Sequence, residues 1–124
     1  MLIGFLSAMH AEAETFDRSE GKLFNGNSYV VQKCGVGSAA KTSAIKLIKN
    51  GCDVLIGWGI AGAAEPTLKN GDLLIAKSFR SEHRHDFQFE PELVDIFTKR
   101  LENFKPSTGS ILTVEKMVLN SLEK

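Results

Sequence analysis

Apolar and polar positions along this chain fall into short blocks with two different periods. Leu2 to Leu6 is a brief apolar run and reads as a buried strand. Met9 to Phe16 is rich in Ala and Glu, which favours helix. Gly21 to Gly26 is interrupted by Lys, Asn and Gly and reads as a turn or a short edge strand. Ser28 to Cys34 has the β-branched content of a strand. From Ser38 to Asn50 the period changes: Ala40, Ala44, Leu47 and Ile48 recur on one helical face, with Ser38 placed to cap the start and Gly51 to follow the end. Val54 to Trp58 and Leu73 to Phe79 are two further strands. Pro91 to Phe104 is a second amphipathic helix. Pro91 suits its first turn, Glu92 and Asp95 favour its N-terminal end, Lys99 and Arg100 its C-terminal end, and Pro106 stops it. Gly109 to Val114 is another strand, and Glu115 to Lys124 begins a helical pattern without a cap.

The order β-α-β-β-α-β-β-α-β predicts a three-layer α/β domain. The 124 residues are expected to form one domain with its own core, as part of a longer protein. A composition 43% hydrophobic and 24% charged is that of an ordinary globular chain. Fifteen basic and fifteen acidic side chains cancel, so no global field recruits nucleic acid or an anionic membrane. No apolar stretch approaches the roughly 20 residues of a spanning helix. Met1 to Ser7 lacks the basic start of a signal peptide. Cys34 and Cys52 are isolated, without metal or redox spacing, and read as reduced buried thiols in a cytoplasmic protein.

The most informative stretch runs from Val54 to Ala76. An apolar run feeds a loop with glycines at 57, 59 and 62, and Asn70-Gly71-Asp72 leads into the next run. Glycine lets backbone approach a ligand closely, and small residues at 61, 63 and 64 leave the same space open. Such a loop at a strand end is where open α/β sheets bind small molecules. Two glycine patterns suggest a dinucleotide, but their context fails. Gly35-Val-Gly37-Ser-Ala-Ala40 is followed by a strand with no acid at its end, and Gly57 to Gly62 by too few residues for a crossover helix. Gly35 to Thr42 has Walker-like spacing, yet Ala40 stands where the glycine belongs and no acid-ended apolar run is present to hold magnesium. Gly35 and Gly37 therefore read as a tight strand-to-helix turn.

Four motifs in order resemble the nucleoside phosphorylase and nucleosidase superfamily, in particular its 5′-methylthioadenosine/S-adenosylhomocysteine nucleosidase branch. They are Ile3-Gly-Phe-Leu-Ser-Ala-Met-His-Ala-Glu12; Gly35-Val-Gly37 with its Ala-rich helix; Gly59-Ile-Ala-Gly62 followed by Leu68-Lys-Asn-Gly-Asp72; and Gly109-Ser-Ile-Leu-Thr113. Trp58 to Ala63 together with Thr113 to Leu119 is also similar to the hopanoid-associated phosphorylase-like branch. The resemblance implies a three-layer α/β/α fold with a twisted mixed central sheet, phosphorylase/hydrolase-like, and no cofactor or metal. It implies cleavage of the N-glycosidic bond of a purine nucleoside by water, or by phosphate in the phosphorylases. Glu12 would be the catalytic acid that orients and activates water, and Ser7, Ala8, Gly59, Ile60, Ala61 and Gly62 would bind substrate. A carboxylate suits this task because it takes a proton and matches the positive sugar of an oxocarbenium-like transition state.

Three departures from the family pattern bear on that expectation. Ile60 stands where many relatives carry Ser or Thr. No arginine lies near Gly57 to hold phosphate, which favours water. The family's ribose-binding Met-Glu segment and its base-protonating Ser-Asp segment have no match here, so residues 1–124 alone are expected to have little or no activity. A nucleoside-binding module without chemistry therefore remains open beside the enzyme. His83-Arg-His85-Asp86 reads as a solvated or interface loop rather than a metal cluster, and His10 as a helix-start residue. Arg80 and Arg84 read as surface residues. Phe87, Phe89, Phe97 and Phe104 read as core or subunit contacts, since family members pair as dimers or higher oligomers.

Overall fold

A computed structural model of the chain describes residues 1–16, 26–37, 39–82 and 84–114. They cluster into two compact units, Met1–Ala61 and Gly62–Lys124. The Ser38 cap, the Gly21 to Gly26 turn short of Gly26, His83 and the terminal helical pattern after Val114 lie outside the described residues.

The first unit is a parallel sheet of order β2-β1-β3, built from β1 (Leu2–Ser7), β2 (Ser28–Lys33) and β3 (Val54–Gly57). The register runs Ile3 against Tyr29 and Val54, and Phe5 against Val31 and Ile56. Helix α1 (His10–Ala13) lies between β1 and β2, and α2 (Ala39–Lys49) between β2 and β3. Helix α1 is shorter than the Ala/Glu composition predicts: after Ala13 the chain turns through Thr15 and Phe16.

Packing on β1 explains a glycine in mid-strand. A Cβ at Gly4 would stand 2.9 Å from Leu55 Cδ2 and 3.0 Å from both Cys52 Sγ and Leu47 Cδ1. Leu47 of α2 fills this space and is the one fully apolar side chain among the described residues to be buried, at 2% exposure. Ala40 and Ala44 share its half-buried face, but Ile48 is exposed. The apolar stripe is thus narrower than the periodicity suggests. Helix α2 ends as expected. Gly51 is left-handed at φ +93°, its N–H reaches Ile48 O at 3.0 Å, and the Cys52 N–H reaches Leu47 O at 3.0 Å, which together form a Schellman cap. Gly35 and Gly37 also have positive φ, as the strand-to-helix turn requires. Asp53 pins the start of β3 to the start of β1. Its Oδ2 accepts from the Leu2 N–H at 2.8 Å, and its own N–H donates to Leu2 O at 2.8 Å.

The second unit holds a mixed sheet of order β5-β4-β6, from β4 (Leu74–Ser81), β5 (Arg84–Gln88) and β6 (Ser107–Thr113). β4 and β5 form an antiparallel hairpin, and β4 runs parallel to β6 with α3 (Pro91–Arg100) between them. Residues 84–88 are therefore a strand, not the solvated loop that the polar run His83 to Asp86 suggests. The Phe87-Gln88-Phe89 alternation was the signal for it. Helix α3 starts with Pro91 at its first turn and has Lys99 and Arg100 in its last. It stops at Leu101 rather than continuing to Phe104. A 3₁₀ turn, Glu102–Phe104, follows, and Lys105 is left-handed at φ 48°. Pro106 disfavours right-handed helical backbone at Lys105, so the helix cannot run through it. Phe87, Phe89 and Phe104 are exposed and so do not form this unit's core, whereas Phe97 is half-buried. Arg80 is paired with Asp86 at 3.1 Å on the surface.

Candidate functional site

In a parallel sheet the carboxyl ends of the strands leave loops that face a common space. In the first unit β1 is central and pairs in parallel with both β2 and β3. The segment Ala8 to Glu12 and the loop Trp58 to Ala61 therefore emerge from adjacent strand ends. Glu12 sits in the first turn of α1 and is 6% exposed, a strongly buried carboxyl group. Its Oε2 accepts from the Met9 N–H at 3.0 Å, which caps the helix start, and its Oε1 accepts from the Ile60 N–H at 2.9 Å. The two segments are thus joined through one carboxylate.

Hydrogen bonding decides the charge state of Glu12. Burial alone would raise its pKa by penalising the anion. The Ile60 N–H, and after it the Met9 N–H, stabilise the anion more than burial disfavours it, so the pKa lies below the ordinary glutamate value. The Ala8 backbone lowers it further. Each carboxylate oxygen can accept more than one hydrogen bond, so the Ile60 and Met9 bonds, one on each oxygen, leave acceptor capacity for a water.

Gly59 is required by this arrangement. A Cβ there would stand 2.6 Å from Glu12 Oε1 and 2.8 Å from its Cδ. Every other amino acid would push the carboxylate aside. Gly59, Ile60 and Ala61 are exposed, Ile60 at 79%, so their surface is open to solvent next to the acid. Ser7, at the end of β1, is fully buried and points elsewhere: its Oγ donates to Trp58 O at 3.1 Å. Its backbone carbonyl accepts from the Cys34 N–H at 2.8 Å. Ser7 therefore holds the loop in place, and the half-buried Ala8 precedes the acid's helix. Gly62 begins the second unit and is exposed, with open space where a Cβ would stand. His10 is the first residue of α1, exposed, with Nε2 2.9 Å from Glu14. Cys34 and Cys52 are free and half-buried, less enclosed than their isolation in sequence suggests.

Sequence reasoning missed Thr15 and an aromatic group in this cluster. Thr15 Oγ1 donates to Glu12 O at 2.6 Å and accepts from Trp58 Nε1 at 2.8 Å. Phe5, Phe16, Tyr29 and Trp58 form a connected aromatic group, with Phe5 and Phe16 centroids 4.7 Å apart and Phe16 and Trp58 6.1 Å apart. A lone tryptophan beside a glycine run was the available signal.

A buried carboxylate at the carboxyl ends of a parallel sheet, beside a side-chain-poor loop, lies where open α/β sheets hold small molecules. The phosphorylase superfamily matches residues 6–118, and the chain belongs to that family. No curated protein sequence matches the chain significantly. Its fold is that of solved nucleosidases. It is similar to the S-adenosylhomocysteine nucleosidase of Streptococcus pyogenes, solved with 5-methylthiotubericidin. That match has a TM-score of 0.81 at 22% identity and covers 99% of this chain and 66% of that one. It is also similar to the Campylobacter jejuni 5′-methylthioadenosine/S-adenosylhomocysteine nucleosidase (TM-score 0.80, 20% identity, 97% and 67% covered). A mutant futalosine hydrolase of Helicobacter pylori matches as well (0.78, 18%, 98% and 68%). The chain spans about two thirds of the length of these structures. Among the described residues no helix is long and apolar enough to cross a membrane.

Proposed function

We propose that this protein cleaves the N-glycosidic bond of an adenosyl-type purine nucleoside, with water as the attacking group. One observation carries the reading: Glu12 is buried yet held as an anion, beside the open backbone of Gly59 to Ala61. In the reaction the C1′–N bond breaks, the sugar develops positive charge, and water forms the new C1′–O bond. The purine leaves with the bonding electron pair and takes up a proton. Glu12 stabilises the cationic sugar through its charge and accepts a hydrogen bond from the attacking water. Its lowered pKa makes it a weak base, so orientation and charge are its main contributions, and proton acceptance comes late, as the water becomes acidic on bonding to C1′. Ala8, Gly59, Ile60 and Ala61 bind the sugar and base in this reading, whereas the buried Ser7 holds the loop after β3 and does not touch substrate. Residues 1–124 form one nucleoside phosphorylase-like domain of a cytoplasmic homo-oligomer that uses no cofactor.

The test is adenine release from methylthioadenosine by the full-length protein, with and without phosphate. Release without phosphate is expected, and Glu12→Ala is expected to slow it by ~10²–10³-fold, the usual worth of a group that stabilises charge in the transition state. Turnover that requires phosphate, or an unchanged rate in Glu12→Ala, rejects the hydrolytic reading. A second reading rests on Ile60, which offers no side-chain hydroxyl to a sugar: a nucleoside-binding module without chemistry. Nucleoside binding without any adenine release would support it.

A further inference from the structure

The loop after β3 is fastened at more points than strand pairing needs. The Trp58 N–H continues the ladder to Leu6 O at 2.8 Å, and Trp58 O accepts from the buried Ser7 hydroxyl at 3.1 Å. The indole reaches the turn that follows α1, where Nε1 donates to Thr15 Oγ1 at 2.8 Å. The Thr15 hydroxyl in turn donates a hydrogen bond to Glu12 O at 2.6 Å. The direction of this relay is fixed by chemistry. An indole N–H only donates and a carbonyl only accepts, so the hydroxyl between them has a single way to serve both. The ring edge also lies on Phe16, with centroids 6.1 Å apart. Two residues further on, the Ile60 N–H meets Glu12 Oε1 at 2.9 Å. Glu12 is therefore tied to one loop twice, through its backbone carbonyl by way of Thr15 and Trp58, and through its carboxylate by way of Ile60.

We propose that Trp58 and Thr15 are positioning residues for Glu12: their relay clamps the 58–60 loop to α1 and sets where the carboxylate is presented. The inference deepens the hydrolytic reading and rests on it for its catalytic meaning. Helix α1 has a single turn, too short to hold a side chain in place by its own hydrogen bonds. The loop carries no side chain at Gly59 to wedge against the acid. The Met9 bond holds the acid from its own side and the Ser7 bond holds Trp58 to the sheet, and the Trp58–Thr15 strut is the side-chain link that joins the loop to the segment carrying Glu12. Without it the loop moves away from α1, the Ile60 bond lengthens, and the acid loses its strongest backbone donor.

The experiment is a ¹³C-detected titration of the Glu12 carboxyl carbon in the full chain, with nucleoside turnover measured in parallel. Trp58→Phe keeps an aromatic ring against Phe16 and removes the donor. Thr15→Val keeps the side-chain shape and removes the hydroxyl, and Thr15→Ser restores it. Both Trp58→Phe and Thr15→Val are expected to move the Glu12 midpoint up toward the ordinary glutamate range, with Thr15→Ser at the wild-type value. The turnover rate is expected to fall by ~2- to 10-fold, the worth of one net hydrogen bond, with KM unchanged. Leu47→Ala loosens the unit's core elsewhere and is expected to leave the midpoint in place. The proposal is overturned if both variants titrate as wild type, or if Leu47→Ala moves the midpoint as far as they do. A full-length wild-type protein without turnover would reject the hydrolytic reading, while the titration would still decide the clamp.

Discussion

The site turns on one side chain whose environment pulls in two directions. Glu12 is buried, which favours the neutral acid, and hydrogen-bonded by the Ile60 and Met9 N–H groups, which favours the anion. The anion wins, so the folded pKa lies below the unfolded one. The sign for stability follows. A group with a depressed folded pKa stabilises the fold fully above its unfolded pKa, and that contribution is lost as pH falls through the folded value. Stability measured by urea midpoint should therefore decline as pH drops below about 4.3, the ordinary glutamate value. Glu12→Gln should be less stable than wild type at neutral pH, because its amide can accept only one of the two backbone N–H bonds. Its decline in acid should be shallower, since the titrating group is gone. The lone tryptophan, Trp58, lies in the same unit and reports the transition by fluorescence. Equal acid slopes in the two proteins would show that the Glu12 bonds add nothing to the folded state. At this scale the sequence disclosed the acid only through its family resemblance, because a lone Glu in an Ala/Glu-rich helix has the composition of a solvated residue. The burial comes from Gly59 and Ile60, which are 47 and 48 positions away and carry no local sign of the contact.

At the scale of elements, legibility followed the strength of local chemistry. Helix α2 was readable because Gly51 and the Ala40, Ala44, Leu47 stripe agree on one answer, and the Schellman cap at Cys52 confirms its end. The strand at 84–88 was not, because His83-Arg-His-Asp carries four polar residues in a row and its pairing with β4 is what makes it a strand. The end of α3 was misread because the periodic residues continue to Phe104, whereas the backbone changes to a 3₁₀ turn at Glu102–Phe104, before Pro106 takes effect. The most consequential packing contact, Leu47 over Gly4, joins a readable helix to a readable strand by a contact the sequence does not show. It supports a specific expectation. Leu47→Ala should lower the first unit's stability by ~2–5 kcal/mol, the range for emptying a buried leucine site. Gly4→Ala should cost ~1–3 kcal/mol by overpacking against Leu55, Cys52 and Leu47. Gly4→Ala combined with Leu47→Ala should cost less than the sum, because the shortened side chain makes room for the new methyl. Additive values from denaturant curves would mean that Leu47 does not press on Gly4.

At the scale of the whole chain, the ordered motifs were enough to place it in the phosphorylase superfamily, which residues 6–118 now show. The surface was less legible. Helical periodicity placed Ile48 on the apolar face of α2, where it is 58% exposed, and of the two readings of Phe104, core or subunit contact, its 71% exposure removes the first; Leu112 is 60% exposed as well. Apolar exposure of this kind acts together with charge. Fifteen acidic and fifteen basic side chains leave a formal net charge of zero at pH 7, so no long-range repulsion keeps copies apart. Exposed apolar side chains on a neutral molecule favour self-association. Light scattering by the wild-type chain should therefore be greatest near neutral pH and fall at higher pH as the net charge grows. Replacing both Phe104 and Leu112 by Lys removes apolar surface and adds two positive charges, which should reduce scattering at pH 7. Both side chains are exposed, so the thermal transition should shift by no more than the ~0.5 kcal/mol typical of surface substitutions. Scattering that is unchanged at pH 7 in the double variant would show that association, if present, runs through other residues. A large loss of stability would show instead that Phe104 and Leu112 are held by contacts within the folded chain.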